Sequence, residues 1–365
     1  MNTLEQHSQL DRVKVAALKV EAIELLKQLI VIPSFSKEEN RTADLIEQWM
    51  QAKGIQAFRK QNNVWCYNSY FDKTKPTILL NSHHDTVLPN AGYSIDPFNS
   101  TIRDDKLFGL GSNDAGGALV SLLATFLYFK DYEHLNYNLL YAATGEEEIS
   151  GKNGVELILP KLGKIDFAIV GEPTQMQLAI AEKGLLVIDC LVKGKSGHAA
   201  REEGENAIYN AINIMNWFRT FQFPVVSETL GPVKMSVTMI RSGTQHNVVP
   251  DCCEFTVDIR TTDVYSNKDV LAIIQQHVDC EVKPRSLRLN SSFIDKNHPI
   301  VKAGISLGRK TYGSPTSSDQ EVMNFPSLKV GPGDSARSHT ADEFIYLNEI
   351  EAGIELYIKM LVEII

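Results

Sequence analysis

Asn138-Leu-Leu-Tyr-Ala-Ala-Thr-Gly-Glu-Glu-Glu-Ile149 is an apolar run of strand length that ends in a glycine and three successive acids. A strand apolar on both faces belongs in the interior of a sheet covered on both sides, and acids placed directly after it stand where that strand emerges. Upstream, Pro76-Thr-Ile-Leu-Leu-Asn81 has the same character, and downstream so does Phe167-Ala-Ile-Val-Gly171. Helix-like stretches such as 115–130 separate these runs, and alternation of strand and helix defines an α/β domain. Ahead of them, Val20-Glu-Ala-Ile-Glu-Leu-Leu-Lys-Gln-Leu-Ile-Val-Ile32 carries apolar residues at helical spacing and stops at Pro33, and a second helix spans roughly 40–53 before Gly54.

After Gln177 the texture changes. Strand-like runs at 185–192, 233–240 and 254–260 surround helices at 206–220 and 268–278, the latter with Val270, Leu271, Ile274 and Val278 on one face. The tail returns to helix and glycine-rich turns, with a last helix from Asn348. One α/β domain (1–181 and 287–365) interrupted by a smaller α+β domain (182–286) accounts for this order, and a length of 365 residues suits about two domains.

Net charge is −9, which repels phosphate backbones and anionic lipid, so neither nucleic acid nor membrane is an expected partner. The N-terminal stretch MNTLEQHSQLDRVKVAALKV has no apolar core with a cleavage site, and Cys66, Cys190, Cys252, Cys253 and Cys280 include no CxxC pair. Buried thiols in the reducing cytoplasm are the expectation.

Chemistry gathers at the strand ends. His83 and Asp85 stand two apart in Asn81-Ser-His-His-Asp-Thr86, so an imidazole can meet a metal while a carboxylate sets its tautomer. Asp114 stands among small residues in Gly109-Leu-Gly-Ser-Asn-Asp-Ala-Gly-Gly117, where the third glycine of a dinucleotide fingerprint is missing. The acids 146–148 would repel one another without a cation nearby. Glu172 follows the next strand in Gly-Glu-Pro-Thr174, and His339 lies in Gly331-Pro-Gly-Asp-Ser-Ala-Arg-Ser-His-Thr-Ala-Asp-Glu343. Each segment alone has a bland reading as a solvated or structural feature; together they describe a metal site. Pro315-Thr-Ser-Ser-Asp-Gln320 is too generic to assign.

These segments, in this order, resemble the co-catalytic zinc amidohydrolases that include acetylornithine deacetylase, succinyl-diaminopimelate desuccinylase, aminoacylase and glutamate carboxypeptidase. The likeness runs over nearly the whole chain, from LLKQLIVIPSFS through HxD, GxGxxD, the acidic pair, GEP and Ser196-Gly-His198 to Ser338-His-Thr340, and the last segment looks most like the deacetylase branch. The resemblance implies a zinc-peptidase-like catalytic domain, a mixed sheet flanked by helices, interrupted by a ferredoxin-like α+β lid through which two copies dimerise. It implies two divalent ions, zinc foremost with cobalt or manganese also suited, bridged by Asp114; His83 and Glu172 complete one site, Glu148 and His339 the other. Glu147 becomes the general base and Asp85 orients His83, although Glu146 competes for a place in the acidic pair. His198 becomes a donor to the oxyanion, and Asn247 and Arg260 hold a substrate carboxylate. Relatives often carry a lysine soon after the bridging acid, where this chain has Ala115-Gly-Gly117.

The activity so implied is hydrolysis of the amide of an N-acyl amino acid, N-acetylornithine first, in arginine biosynthesis. Acetylcitrulline, succinylornithine and succinyl-diaminopimelate are alternatives, as is a dipeptidase or glutamate carboxypeptidase. A non-catalytic binding protein on the same scaffold would be missing ligands, and none of the five is missing.

Overall fold

The central strands form because their apolar residues can be buried on both faces. In the computed structural model, which describes residues 10–365, Thr77–His83 and Asn138–Thr144 are buried at every position. They pair in parallel, with His83 opposite Thr144, and Phe167–Val170 pairs in parallel on the other side of Thr77–His83. Ser327–Lys329 continues the parallel set, while Asn63–Tyr67 and Phe58–Lys60 add antiparallel strands at the far edge. The sheet is therefore mixed.

Alternation divides its two faces. Ile78, Leu80, Leu139, Tyr141, Phe167 and Ile169 point to a core shared with the helices Arg12–Ile30, Gly117–Phe129 and Leu347–Val362. Leu79, Leu140, Ala142, Ala168 and Val170 point the other way, against Val155, Ile158 and Leu162. Gly117–Phe129 is buried along its whole length, and each large side chain it encloses, such as Phe126, is worth about 2–3 kcal/mol over its exposed state.

The first helix starts at Arg12, earlier than the periodicity predicts. Asp11 caps it by accepting the Lys14 N–H at 3.0 Å, and Val15 and Leu18 extend the buried stripe, while exposed Val13 and Val20 blur the pattern. The stretch expected to lack an export signal begins in residues 1–9, outside the described residues. Among the described residues no helix is long and apolar enough to cross a membrane.

The chain divides into two units, with Ala181–Ser292 and Gly313–Ser317 forming the second. The sequence boundary at 286 thus moves to 292, and the short return at 313–317 has no sequence signal. Its elements run strand Gly184–Lys193, helix Ala207–Thr220, strands Lys234–Ser242 and Cys252–Thr261, helix Asn267–His277, strand Glu281–Pro284. This is the β-α-β-β-α-β order, and with the first of these strands lying between the third and fourth, the sheet has the ferredoxin-like arrangement. Leu186, Ile188, Phe255, Val257, Val270 and Ile274 form its own core. Pro284 obscures the last strand in the sequence, yet a proline is tolerated there because the strand is an edge.

All five cysteines are free. Cys66, Cys190 and Cys253 are buried, but Cys252 is exposed, against the expectation of uniformly buried thiols: it opens the strand Cys252–Thr261 on the outward side of the alternation.

Candidate metal centre

Parallel pairing brings the carboxyl ends of three strands to one edge, the usual place for a site in such sheets. His83 closes its strand, Glu147 and Glu148 follow Asn138–Thr144 after a tight turn, and Glu172 lies two residues past Val170. Asp114 is delivered by the segment Ser112–Gly116 ahead of the buried helix, and His339 by the loop after Ser327–Lys329. Glycine allows this crowding: a Cβ on Gly331 would stand 2.5 Å from the main-chain oxygen of Glu172.

The carboxylate of Asp114 faces two ways. Its Oδ1 is 3.4 Å from His83 Nε2, and its Oδ2 is 3.6 Å from His339 Nε2. Glu172 Oε1 lies 3.6 Å from His83 Nε2, and Glu148 Oε2 lies 3.0 Å from His339 Nε2. Two groups of potential ligands therefore converge, His83–Asp114–Glu172 and Asp114–Glu148–His339, sharing Asp114. Glu147 Oε2 is 3.8 Å from His83 Nε2.

The HxD pair acts differently from the simple expectation. His83 Nδ1 donates to the main-chain oxygen of Asp85 at 3.0 Å, with the Asp85 carboxylate at 3.4 Å, so Nε2 is left to face the cluster. The buried Asp85 carboxylate also accepts the Glu147 N–H at 3.1 Å, the Glu148 N–H at 3.2 Å and the Ser36 hydroxyl at 2.7 Å. Asp85 thus sets the acidic pair as well as the histidine. Glu146 turns away: its carboxylate accepts from the Asn153 side chain at 2.9 Å and the Asn153 N–H at 3.2 Å.

Two further acids belong to this edge and were not assigned from the sequence. Glu343, only 2 % exposed, accepts the N–H groups of Gly111, Asn113 and Asp114 at 3.0, 2.8 and 2.9 Å and so pins the segment that presents Asp114. Asp319 accepts the Thr144 hydroxyl at 2.7 Å. An acid followed by an aromatic residue, or an acid in a serine-rich stretch, carries no sequence mark of burial.

Electrostatics show what this edge lacks. Burial, together with Glu172, Asp319 and Glu148, pushes the Glu147 carboxyl well above the usual range, although His83 opposes it. Burial and Asp114 push Glu172 up to about 8, and the Glu148 hydrogen bond pushes His339 up to about 9. Burial acts to lower His83, yet Glu147, Asp114, Asp85 and Glu172 raise it well above its ordinary value. Acids held this close want positive charge. His83 Nε2 and Glu172 Oε1 are buried and have no hydrogen-bond partner. Imidazole nitrogens and carboxylate oxygens are the donor set of zinc, cobalt and manganese, and the residues fit two divalent ions.

His198, Asn247 and Arg260 lie in the second unit. His198 pairs with Val248 across a two-stranded ribbon, and Ala199 N–H donates to Asn247 O at 3.0 Å, so His198 and Asn247 are neighbours. His198 Nδ1 accepts the Ala200 N–H at 3.1 Å, which places the imidazole proton on Nε2 as a donor. Arg260 is not brought to that ribbon. It stands on the strand Cys252–Thr261, where Asp258 engages its guanidinium through both carboxylate oxygens at 3.0 and 3.2 Å.

The model of peptidase family M20/M25/M40 matches residues 79–363. The chain is 28% identical to a succinyl-diaminopimelate desuccinylase of Orientia tsutsugamushi, over 93% of this chain and 95% of that protein. It is 27% identical to an acetylornithine deacetylase of Proteus mirabilis, over 92% and 94% of the two. Among solved structures, a dinuclear metal-binding M20 peptidase of Bacillus subtilis superposes with a TM-score of 0.73 at 16% identity, covering 95% of this chain and 98% of that one, a likeness of fold. With the two-unit architecture and the shared-aspartate cluster, the match over most of its length makes this chain a member of peptidase family M20/M25/M40, a hydrolase of amide bonds.

Proposed function

We propose that the chain removes the acyl group from an N-acyl amino acid, with N-acetylornithine as its first substrate. The observation that carries the reading is the Asp114 carboxylate, which turns one oxygen to His83 and the other to His339 beside the Glu147 carboxylate, itself 3.8 Å from His83 Nε2. His83, Asp114 and Glu172 would hold one divalent ion and Asp114, Glu148 and His339 the other; such ions polarise a carbonyl and acidify water.

The residues of the chain supply the rest. Glu147 accepts the proton of the attacking water and returns it to the leaving amine nitrogen, and burial suits its carboxylate to that exchange. Asp85 holds Glu147 and Glu148 by their main chain, which fixes the base against the ligands. His198, with its proton on Nε2, is the donor to the developing oxyanion. Asn247 on the ribbon and Arg260 at the far end of the strand Cys252–Thr261 are proposed as separate donors to the substrate carboxylate, Arg260 by its planar fork.

The names of the relatives support deacylation over peptide cleavage, and the desuccinylase relatives favour a second reading, N-succinyl-diaminopimelate. We assign the inserted unit to lid closure and to pairing of two copies, supported by its edge strand Lys234–Ser242 with Met239 and Ile240 exposed. Cytoplasm suits five unpaired cysteines.

The test is amine release by the zinc- or cobalt-loaded protein from N-acetylornithine, N-acetylcitrulline, N-succinylornithine, N-succinyl-diaminopimelate and dipeptides. Preference for an acylated ornithine supports the first reading and preference for the succinylated diamino acid the second. Selective dipeptide cleavage overturns both.

A further inference from the structure

A cavity of about 1080 Å³ in the first unit lies away from the metal cluster. Thr77 lines it and His83 ends the same strand at the cluster; six steps of about 3.3 Å set the two apart by about 20 Å. It takes up no part of the proposed reaction.

Its walls have two chemistries. One is aromatic: Tyr67 meets Phe58 and Phe71 edge-on at ring-centre distances of 5.8 and 4.8 Å, and Phe58 and Phe71 remain 38 and 37 % exposed. Phe58 gives one face to Trp65, stacked at 5.9 Å, and the exposed parts of Phe58 and Phe71 are left for a planar partner. The other is cationic, with five lining lysines against the single acid Asp166. Lys164 is held by Asp166 at 3.3 Å and Lys130 by Asp131 at 2.5 Å. Lys75 donates to the Leu135 carbonyl at 2.8 Å, and its charge acts on the nearby Asp72 carboxylate. Among the described residues Lys73 and Lys161 have neither a hydrogen-bond nor an ion-pair partner. Local positive charge on a chain of net charge −9 runs against the average of the surface. Beside Lys161, right-handed Leu162 is followed by Gly163 at φ +82°, a succession that turns main-chain N–H groups to one side, of which the Leu162 N–H is given to Leu159 O at 3.3 Å.

We propose that this groove binds a nucleoside diphosphate, its phosphates on Lys73, Lys161 and the 161–164 turn, its base against the Phe58–Tyr67–Phe71 rings. The volume is at the upper end of small-molecule sites. Calorimetric titration of the full chain with ADP, inorganic pyrophosphate and adenosine tests it. ADP binds saturably, more tightly than either fragment, and more weakly as salt rises. The double variant Lys73→Glu/Lys161→Glu loses at least about tenfold in affinity, and Phe71→Ala about tenfold. All retain the amide hydrolysis of the parent chain, since none of these residues is at the metal cluster. Absence of saturable ADP binding up to about 5 mM, or unchanged affinity in the double lysine variant, overturns the proposal. Pyrophosphate binding as tightly as ADP overturns the aromatic half, and adenosine binding as tightly overturns the cationic half.

Discussion

Replacing Glu343 by glutamine keeps the volume of the side chain and removes its charge. In the native arrangement one carboxylate oxygen accepts from Asn113 and Asp114 at 2.8 and 2.9 Å, and the other from Gly111 at 3.0 Å. Glutamine retains a single acceptor oxygen, so two bonds fall from charge-assisted to neutral strength, at a cost of about 1 kcal/mol each. Its amide nitrogen then faces the Gly111 N–H, and a buried donor without an acceptor costs about 1–3 kcal/mol more. The local penalty is about 3–5 kcal/mol, and it falls on the segment that presents Asp114. A loss of 10–100-fold in metal affinity would take up about 1.4–2.8 kcal/mol of it. Burial and Asp114 push Glu343 up to about 8 while the three N–H donors pull it down, so competition with a chromogenic chelator is run above pH 8, where the native side chain is ionised. A thermal melt confirms that the variant folds. Zinc affinity within about twofold of the parent chain would refute the argument that Glu343 positions the shared ligand.

Glu147→Gln is expected to retain both ions and lose about 10²–10⁴-fold in kcat; steady-state kinetics beside metal analysis checks it, and retained turnover removes Glu147 from the base role. Arg260→Ala is expected to raise KM for substrates bearing a carboxylate with little change in kcat, and an unchanged KM sinks that assignment, leaving the Asp258 ion pair as the residue's role. His298 caps the helix Pro299–Ser306 by accepting the Ile300 N–H at 3.4 Å, and burial lowers its pKa from 6.5. The unfolded chain therefore binds the proton first, so this contribution is fully present above pH 6.5 and is lost as pH falls below it. His298→Asn keeps a cap without the titration, and urea midpoints compared above and below that pH should show a shallower loss in the variant; parallel slopes contradict it.

What was legible in the sequence follows from how strongly each segment is constrained. Asn138–Thr144 and Thr77–His83 read plainly because burial on both faces selects the apolar runs Leu139–Ala143 and Ile78–Leu80, and the acids after them stand where the strands end. Glu146 and Glu147 could not be separated by sequence, because the left-handed turn at Glu146 and the hold of Asp85 on the following amides are three-dimensional facts. Glu343 was silent because its partners are main-chain N–H groups about 230 positions away, which no side-chain pattern records. Asp85 was read as a partner of His83 alone, and its larger role as an acceptor for the acidic pair appears only when two strand ends are brought together. In the second unit, alternation in Gly184–Lys193 announced a one-sided sheet, whereas the short strand Glu281–Pro284 hid behind its proline.

Asp114 serving two ions at once is what the proposed hydrolysis requires, and the direct test is the metal content of the protein after zinc loading and desalting, set beside its amide hydrolysis. Two ions per chain are expected for the parent chain, from the two ligand groups that share Asp114, and Asp114→Ala should lose both the pair and the activity. A single ion per chain at full activity, or an undiminished pair in Asp114→Ala, would contradict it.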